Sequence, residues 1–453
     1  MTNYEKDIQA ARTIAEQVAK KGGAVYYVGG FVRDKLAGRE NKDVDIEVHG
    51  ISPKELEEIL DGFGQRLTIG ESFGIYGLKG YSLDIAMPRK ETMRGQGHRD
   101  FDICVDPFIG LRGAALRRDF TVNALMENVL TGETVDLFGG IADLRDGVLR
   151  HINDDTFAED PLRVLRGAQF AARFGFTVAP ETVALCRKMP LCHLPRERIF
   201  GELEKALLKA EKPSVFFEVL RTTDQLSDWF PEVQALIGVE QNTNYHTEGD
   251  VWNHTMLVLD EAAALRSRVE NPLGLMLSAL CHDFGKTVST TVTDGVAHAY
   301  GHEVKGLPLV ERFMKRLTGE TALIRYVLNL AEFHMKPNMM AAAGSAVKAT
   351  NKLFDSVEEP SALIALSIAD GKGTLSPKGY ISHEEFLQKR LEIYHEYMAR
   401  PYVMGRDLIK AGLRPGKEFS EILAHAHKLR LAGVSKKNAL RQCLAMANKK
   451  RFD

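Results

Sequence analysis

The hydrophobic pattern of this 453-residue chain changes near Thr156, and the change limits the folds that the chain can adopt. Before that residue, short apolar runs such as Ala24 to Val28 alternate with polar and glycine-rich segments, which is typical of mixed α/β structure. After it, apolar residues recur at the helical spacings of three and four, as at Leu162, Leu165 and Ala168. The pattern therefore predicts an α/β first part followed by a helical remainder.

The composition excludes several classes of protein. With 59 basic against 61 acidic residues, the chain cannot be a uniformly basic nucleic-acid coat. Its longest apolar stretch, Leu273 to Cys281, is about half of the roughly 20 residues that a membrane helix needs. The N-terminal segment is charged where a signal peptide needs an apolar region, and the five cysteines form no CxxC pair. We expect a cytoplasmic protein without membrane spans, structural disulfides or a thiolate zinc site.

Two acidic residues lie where a nucleotide site could form. Asp43 and Asp45 are two residues apart in a segment that continues to Val48 and alternates apolar with acidic side chains, as a half-buried strand does. Both carboxylates would project from one strand face, which suits two divalent cations about 4 Å apart. Gly29 and Gly30, at the end of the preceding strand, would let backbone N–H groups hold a triphosphate. A surface acidic pair beside an ordinary glycine turn would have the same pattern.

Five ordered segments resemble the motifs of class II tRNA nucleotidyltransferases, the CCA-adding enzymes. They are Val28 to Asp34 (VGGFVRD), Asp43 to Asp45 (DVD), Arg117 to Ala124 (RRDFTVNA), Glu159 to Arg163 (EDPLR) and Glu197 to Glu202 (ERIFGE). The resemblance covers residues 24 to 210. It implies an α+β fold, in which a polymerase-β-like nucleotidyltransferase head is followed by an all-α neck, body and tail.

The resemblance also implies a nucleotide site in the head. Asp43 and Asp45 would be the catalytic carboxylates that hold Mg²⁺. The residues implied for nucleotide binding are Gly29, Gly30, Arg33, Arg118, Asp119, Asn123, Asp160, Arg163 and Arg166. Two of them, Arg118 and Arg166, suit bidentate phosphate contacts, although an ion pair within the protein would use the same side chains.

Asp160 and Arg163 are predicted to select the incoming base. They are three residues apart on a helix that Pro161 would begin, with Asp160 as its N-cap, so both side chains would face the same way. A carboxylate accepts from an exocyclic amine and a guanidinium donates to ring acceptors, which matches C and A and opposes G and U. Such a site can discriminate by roughly 10⁴, because a wrong base leaves buried polar groups unpaired.

Other head positions depart from the family pattern or remain open. Many relatives have an arginine at the position of Gln169, so triphosphate binding could be weaker here unless Arg173 compensates. Asp84 could be a third carboxylate near the metals or a structural residue. The segment Pro88 to Pro107 is rich in Gly, Arg and Asp and predicts a long mobile loop, similar to the flexible loop of enzymes that add all three nucleotides.

A second chemical site is indicated in the helical half by His282 and Asp283, which follow an apolar run. Imidazole and carboxylate together suit a divalent metal. With His254 upstream and Asp370 downstream, the order H…HD…D resembles the HD-domain metal-dependent phosphohydrolases. The resemblance implies these four residues as ligands of Mg, Mn, Ni or Co.

The same resemblance extends to neighbouring residues. His302 and His334 match the histidines that bind a second metal in some HD proteins. Lys286, in the sequence HDFGK, would contact phosphate or be a solvent-exposed lysine. Phosphatase or 2′,3′-cyclic phosphodiesterase chemistry is therefore expected.

We predict four domains: a head (1–150), a neck with the nucleotide-selecting helix (151–230), an HD-type body (231–395) and a basic helical tail (396–453). The last 26 residues, from Lys428, contain eight Lys or Arg against one Asp. A solvated helix face would explain this bias, and so would phosphate-backbone contact with tRNA through Lys449, Lys450 and Arg451.

The leading interpretation is an enzyme that builds or repairs the 3′-terminal CCA of tRNA from CTP and ATP, with an additional hydrolase in the HD half. A bacterial poly(A) polymerase would share the head motifs. An HD phosphohydrolase with a non-catalytic nucleotide-binding head is the alternative from another class, which the intact acidic residues of the head oppose. The expected partners are tRNA, CTP and ATP; no membrane is involved, and the oligomeric state is left open.

Overall fold

A computed structural model describes residues 2–70, 74–93, 101–377 and 379–449. The chain forms two compact units, of which the first comprises Met1–Leu203 with Val215–Asp228 and the second comprises Glu204–Ser214 with Trp229–Asp453. The first unit contains the predicted head and most of the predicted neck. The four domain boundaries themselves remain a prediction.

The first unit is built on a mixed sheet. The strands of the first unit are β1 (Ala24–Val28), β2 (Val44–His49), β3 (Arg66–Gly70), β4 (Ile75–Leu78), β5 (Leu83–Ala86), β6 (Arg89–Met93), β7 (Phe101–Val105), β8 (Met126–Asn128), β9 (Thr134–Val135), β10 (Val148–Leu149) and β11 (Thr177–Val178). Among the described residues, the main sheet has seven strands in the order β3-β4-β5-β2-β1-β8-β9. β2 pairs in parallel with β5 and antiparallel with β1.

Helices precede, separate and follow these strands. Those wholly within the first unit are α1 (Asn3–Lys20), α2 (Gly30–Leu36), α3 (Pro53–Asp61), α4 (Gly110–Leu116), α5 (Gly140–Asp146), α6 (Asp154–Ala158), α7 (Leu162–Phe174) and α8 (Pro180–Cys186), with a 3₁₀ turn at Thr121–Asn123. The boundary between the units falls within α9 (Arg196–Lys209) and at the first residue of α10 (Ser214–Thr222). Val44, Ile46 and Val48 enter the core together with Ile14 and Val18 of α1. Because side chains alternate along a strand, Asp45 and Glu47 lie on the opposite face of β2.

Two local predictions in this unit were wrong. The segment Pro88 to Pro107 is not without regular structure, because β6 and β7 pair antiparallel from Arg89↔Val105 to Met93↔Phe101; residues 94–100 lie outside the described residues. Helix α7 begins at Leu162 with Pro161 as its N-cap, so Asp160 is not the cap, although its Oδ1 accepts from the Leu162 N–H (3.2 Å). The carbonyl oxygen of Pro161 accepts from the Val164 N–H (3.1 Å), only three residues on, so the regular α-helix begins one residue later than predicted.

The second unit is mostly helical. Its elements are α11 (Pro231–Gln234), α12 (Val251–Leu265), α13 (Pro272–Cys281), α14 (Lys286–Ser289), β12 (Thr291–Thr293), β13 (Val296–His298), α15 (His302–Lys305), α16 (Leu307–Leu317), α17 (Thr321–Phe333), α18 (Lys336–Ala342), α19 (Val347–Asp355), α20 (Pro360–Gly373), α21 (Glu384–Ala399), α22 (Gly405–Lys410), α23 (Glu418–Leu431) and α24 (Lys436–Lys449). The hairpin of β12 and β13 departs from the predicted all-helical pattern.

Close helix packing brings the second unit's buried polar residues together. α12 and α20 approach so closely that a Cβ on Gly373 would lie 2.6 Å from Val258 Cγ2. α22 to α24 share a separate small core that includes Leu408, Ile422 and Ala439.

Lys449 ends α24; its side chain, together with Lys450 and Arg451, lies outside the described residues, so the predicted tRNA contacts remain a prediction. None of the described helices is long and apolar enough to cross a membrane.

Two candidate active sites

One pocket in the first unit, of about 480 Å³, collects the predicted nucleotide-binding residues. All nine of them line it, and the other lining residues are Asp45, Arg117, Leu162, Phe170 and Arg198. Asp43 is exposed, just before β2 begins, and is not among the lining residues. The structure therefore brings the five sequence segments to one place.

A chain of hydrogen bonds joins the VGGFVRD and RRDFTVNA segments to Arg166 of α7 at the pocket. Arg33 Nε donates to Asp34 Oδ1 (2.8 Å) and Arg33 Nη1 donates to Asn123 Oδ1 (2.6 Å). Asn123 Nδ2 donates to Asp119 Oδ1 (2.9 Å), and Arg166 donates to Asp119 Oδ2 through Nε (2.8 Å). Burial alone would raise the pKa of Asp119, but the charge of Arg166 and these hydrogen bonds lower it. Both arginines are thus fixed at the pocket by buried partners.

A buried carboxylate on β2 anchors the arginines of the RRDF segment. Glu47 is 1% exposed and contacts His49 Nε2 (3.0 Å), Arg118 Nη2 (3.3 Å) and Arg117 Nη2 (3.6 Å). Burial alone would raise the pKa of Glu47, but the hydrogen bond with His49 and the arginine charges lower it to about 2. Gly29 has φ +64°, and a Cβ there would lie 3.3 Å from Arg118 Nη1, so a side chain would disturb the guanidinium. Glu47 had no predicted role, although its position two residues after Asp45 on the same strand face was a signal.

Asp45 is electrostatically suited to a cation. It pairs in register with Asp84 on the parallel strand β5. Burial, and then the charge of Asp84, raise the pKa of Asp45 to about 6. A divalent ion would relieve this repulsion, so the residues present fit the predicted metal. Asp84 acts on Asp45 through its charge, and whether it would also bind a metal remains a prediction.

The predicted base-selecting pair is engaged by protein groups. Arg163 donates to the carbonyl oxygens of Thr156 (2.5 Å) and Arg117 (2.6 Å). Asp160 Oδ2 accepts from Arg198 Nη2 (2.9 Å). Arg198 belongs to the ERIFGE segment, but sequence reasoning gave it no role at the pocket. These contacts orient both side chains on the pocket wall.

The position where an arginine was expected is buried. Gln169 is 1% exposed, and its Nε2 has no hydrogen-bond partner among the residues that the structure describes. Arg173, considered as its substitute, does not line the pocket; it packs with Arg33 and Arg39 around the ring of Phe174, at 4.3–5.0 Å from the ring centre. Compensation by Arg173 therefore has no support in this geometry.

In the second unit, the first four predicted metal ligands converge from three helices. His254 Nε2 on α12 lies 3.2 Å from Asp370 Oδ1 on α20 and 3.5 Å from Asp283 Oδ2. His282, the residue that caps α13, has its Nε2 3.4 Å from His254 Nε2. Asp283 Oδ2 is buried without a hydrogen-bond partner of regular geometry in the described chain. These donors fit a divalent metal.

The two extra histidines form a second group on the other side of Asp283. His302 Nε2 lies 3.2 Å from Asp283 Oδ1 and 3.3 Å from His334 Nε2. Both the group of His254, His282 and Asp370 and the group of Asp283, His302 and His334 have ligand atoms within 4.8 Å of one another. Asp283 belongs to the second group and also contacts His254 of the first, and each group could hold an ion.

The Nδ1 atom of each imidazole is already used. His282, His302 and His334 bond through Nδ1 to the carbonyl oxygens three residues earlier, at 2.7–2.9 Å. His254 Nδ1 lies 3.1 Å from Glu248 Oε1. A proton on Nδ1 leaves the Nε2 lone pair directed at the carboxylates, which is the form that ligates a metal. The protein therefore sets the ligand tautomers in advance.

Glu248 is a further residue that sequence reasoning missed. Its side chain is 1% exposed, and Oε1 accepts from both His254 and His246 Nδ1 (2.7 Å), while Oε2 accepts from the Leu375 N–H (3.0 Å). Burial alone would raise the pKa of Glu248, but the hydrogen bonds with His246 and His254 lower it to about 2. An acidic residue shortly before α12 was the available signal.

Lys286 is held at the edge of the cluster. Its Nζ lies 2.8 Å from Gln241 Oε1 and 2.6 Å from Asp283 Oδ2, and the side chain is 13% exposed, so the alternative of a solvated lysine is wrong. Gly285 permits the arrangement, because a Cβ there would lie 1.9 Å from the carbonyl oxygen of His302. The missing side chain of Gly285 thus lets the backbone of His302 approach closely enough for its imidazole to contact Asp283.

The ligand histidines differ in their affinity for protons. Burial alone would lower the pKa of His254, but hydrogen bonds with Asp370 and Glu248 raise it to about 9. Burial, and then the charge of His282, lower the pKa of His334 to about 4. A metal would have to displace the proton from His254, so binding is expected to release protons.

Comparisons with known families agree with this division. Residues 25–150 match the poly A polymerase head domain, residues 175–237 match the probable RNA and SrmB-binding site of polymerase A, and residues 251–371 match the HD domain.

Full-length relatives are similar as well. The chain is 37% identical to the multifunctional CCA protein of Nitrosococcus oceani over 88% of this chain and 95% of the relative, and 39% identical to that of Actinobacillus pleuropneumoniae over 70% and 76%. Among solved structures, a CCA-adding enzyme in its apo form II has a TM-score of 0.68 at 22% identity, covering 97% of this chain and 96% of that one. The Thermotoga maritima CCA-adding enzyme complexed with tRNA-CCA has a TM-score of 0.64 at 22% identity, covering 97% and 95%.

Proposed function

The chain belongs to the multifunctional CCA protein family, so it is a nucleotidyltransferase with an HD domain, and we propose the following division of work between its two sites. The head adds or repairs the 3′-terminal CCA of tRNA from CTP and ATP and releases pyrophosphate. The HD cavity hydrolyses phosphate esters, as a 2′,3′-cyclic phosphodiesterase or a phosphatase. Since tRNA and nucleoside triphosphates are cytoplasmic, we place the protein there.

In the head, Asp43 and Asp45 would hold Mg²⁺, which when bound lowers the pKa of the attacking 3′-hydroxyl and balances phosphate charge. Arg118 and Arg166 bind the triphosphate, and their buried partners keep them aimed at the pocket. Arg33 lines the same pocket, and its ion pair with Asp34 orients it. The side chains thereby orient the α-phosphate toward the 3′ end of the tRNA.

Asp160 and Arg163 select the base. Asp160 accepts from the amine of C or A, while Arg163 uses the N–H groups that its two carbonyl partners leave free. Arg198 holds the Asp160 carboxylate until the base arrives. G and U would place a carbonyl oxygen against Asp160 and are rejected.

The observation that carries the head proposal is the meeting of the glycine turn, Asp45, the arginines and the base-selecting pair in one pocket. The test supplies a tRNA that ends at the discriminator base with Mg²⁺ and with CTP or ATP, singly and together. Ordered addition of C, C and A is expected. A long A-tail from ATP alone would instead indicate a poly(A) polymerase, and no incorporation would leave only the HD half as an enzyme.

In the HD cavity, His254, His282, Asp283 and Asp370 would hold one divalent ion of Mg, Mn, Ni or Co, and His302 and His334 a second. Such ions, when bound, activate water and polarise a phosphoryl oxygen. Lys286, oriented by Gln241, contributes a positive charge to the phosphate. The carrying observation is the set of Nε2 atoms directed at Asp283 and Asp370. Hydrolysis of a cyclic nucleotide after metal addition is expected, and loss of this activity in His282→Ala tests the assignment.

The basic tail is proposed to contact tRNA phosphates through Lys449, Lys450 and Arg451. The support is the charge bias of the last segment in a chain of net charge -2. Neutralising the three residues should weaken tRNA binding and flatten its dependence on salt. Unchanged binding at two salt concentrations would remove this part of the proposal.

A further inference from the structure

The mouth of the HD cavity carries aromatic rings that the hydrolytic chemistry does not need. Tyr300 is 75% exposed and Tyr245 is 58% exposed, yet both line the cavity that contains Asp283 and His302. His298 lines it as well. We propose that Tyr300, backed by His298, and Tyr245 form a stacking subsite that holds the nucleobase of the cyclic nucleotide and so determine the preference of the HD site for substrates with a base. This inference rests on the proposed hydrolase function of the cavity.

The Tyr300 ring is exposed but not loosely held. It stacks on His298 with a centroid distance of 5.3 Å and an angle of 9° between the planes, and its hydroxyl lies 3.2 Å from His298 Nδ1. The carbonyl oxygen of Tyr300 accepts from Lys305 Nζ (3.0 Å). A large apolar face that is both fixed and open to solvent is typical of a binding surface. One face of the ring packs on His298, which leaves the other for a ligand.

The chain places this ring beside the metal-binding groups. Tyr300 is two residues before His302, and Gly301 between them has φ +71°, which turns the chain into α15. Tyr245, which also lines the cavity, is adjacent to His246, whose ring packs edge-on against His254 at 5.2 Å. Both tyrosines are thus exposed lining residues close in sequence to the buried predicted metal ligands or their neighbours.

The size and polarity of the cavity agree with a nucleoside phosphate. The cavity has about 320 Å³, at the lower end of the range for small-molecule sites. Its buried or largely buried lining includes the predicted metal ligands Asp283 and His302 and the predicted phosphate contact Lys286, whereas the tyrosine rings are its exposed lining. Stacking on an aromatic ring is tolerant of base identity, because every base has a π-face. We therefore expect a strong preference for a base over no base, and little preference among the four bases.

The test compares two substrates that differ only in the base. The full-length, metal-loaded protein is given adenosine 2′,3′-cyclic phosphate or the 2,3-cyclic phosphate of methyl riboside, and kcat/KM is measured for each. In Tyr300→Ala, the ratio of the two values should fall roughly 10-fold, mainly through KM of the nucleotide. Tyr300→Trp should keep or increase the ratio. Val304→Ala, a similarly exposed apolar side chain that does not line the cavity, should leave it unchanged.

The outcomes separate this inference from the proposed function. If the wild-type protein hydrolyses neither substrate, the hydrolase function fails and the subsite falls with it. If it hydrolyses both equally well, or if Tyr300→Ala lowers both values by the same factor, the hydrolase function stands and only the stacking subsite is overturned. A selective loss for the nucleotide, retained in Tyr300→Trp, supports the subsite.

Discussion

The head pocket and the HD cavity, both proposed to handle phosphate with metals, are prepared for this in opposite ways. In the head, the groups fixed in advance are cations, since Arg118 and Arg166 are held by the buried acids Glu47 and Asp119. In the HD cavity, the groups fixed in advance are metal ligands, because every imidazole has its Nδ1 occupied. Among the described residues, groups of three His, Cys, Asp or Glu side chains whose ligand atoms lie within 4.8 Å of one another occur in the second unit alone.

The difference indicates whether each site should bind its metal before the substrate or together with it. Asp43 is exposed, and Asp45 has a raised pKa beside Asp84, so the head carboxylates form an open site that a nucleotide must complete. His254, His282 and Asp283 are at most 2% exposed and form a closed site. We therefore expect the HD site to bind a divalent ion without substrate, and the head to bind Mg²⁺ chiefly together with CTP or ATP.

The largest expected effect separates the two sites. Asp45→Ala should reduce nucleotide addition by roughly 10³-fold, because it removes a metal ligand from the reacting phosphate, and should leave HD hydrolysis intact. His282→Ala should do the reverse. Addition to labelled tRNA on a denaturing gel and hydrolysis of a cyclic nucleotide are measured on the same preparations. A joint loss of both activities in either variant would contradict independent sites.

A smaller effect is expected on base selection in the head. Asp160→Asn should reduce the preference for CTP over UTP by roughly 10²-fold, because an amide can donate to the carbonyl of U as well as accept. The effect is smaller than in a closed site because the Asp160 side chain is 30% exposed. Single-nucleotide incorporation kinetics measure it. Asp155→Asn, an exposed acid of α6, is the control, and equal misincorporation in both variants would count against Asp160.

The preset ligand geometry of the HD site is tested by its supporting carboxylate. Glu248→Gln should weaken metal binding about 10- to 100-fold, because a neutral amide oxygen is a weaker acceptor for His254 Nδ1–H than the carboxylate and the amide NH2 would face the Leu375 N–H. Titration calorimetry with Mn²⁺ and no substrate measures the affinity, and CCA addition should not change. Glu240→Gln replaces an exposed carboxylate that lines the same cavity and should bind Mn²⁺ normally. Equal affinity of the Glu248→Gln and wild-type proteins would show that the tautomer is set by other groups.

The smallest effect on either activity is expected from Glu232, which lies in the second unit and lines neither cavity. Burial alone would raise its pKa, but the paired hydrogen bonds from Arg316 and the contact with Arg312 lower it. Glu232→Gln should reduce the free energy of unfolding by roughly 2–3 kcal/mol at pH 7 without changing kcat at either site.

The pH dependence of this loss follows from the direction of the shift. Because the pKa is lower in the folded protein than the ordinary value of 4.5, the stabilisation is present above about pH 4.5 and is lost as the pH falls below it. Urea unfolding of wild type and variant should therefore converge on acidification. Glu311→Gln, which breaks an exposed pair with Lys315, should cost at most about 0.5 kcal/mol at any pH.

Residues predicted to contact the substrate or a metal were easier to recognise from the sequence than the residues that orient them. Asp160 and Arg163 could be recognised because they stand in a segment that resembles a family motif and their donors and acceptors match C and A, and the HD ligands because the order H…HD…D resembles the HD phosphohydrolases. Arg198 and Glu248 were missed, since their partners lie 38 and 6 residues away and the contacts depend on how the helices pack. The pairing of β6 with β7 was missed because its strands lack an alternating pattern.

What the sequence determined by itself is the division into an α/β head and a helical remainder, and the chemistry that each part carries. The division follows from the hydrophobic period, and the chemistry follows from short motifs that resemble those of known families together with the donor and acceptor types of their residues, all of which are local properties. What only the tertiary structure decided is which charge faces which: that Glu47 restrains Arg118, and that Glu248 sets the tautomer of His254. The energy of a charge or a lone pair depends on burial and on partners brought from distant segments, and a linear pattern does not contain that information.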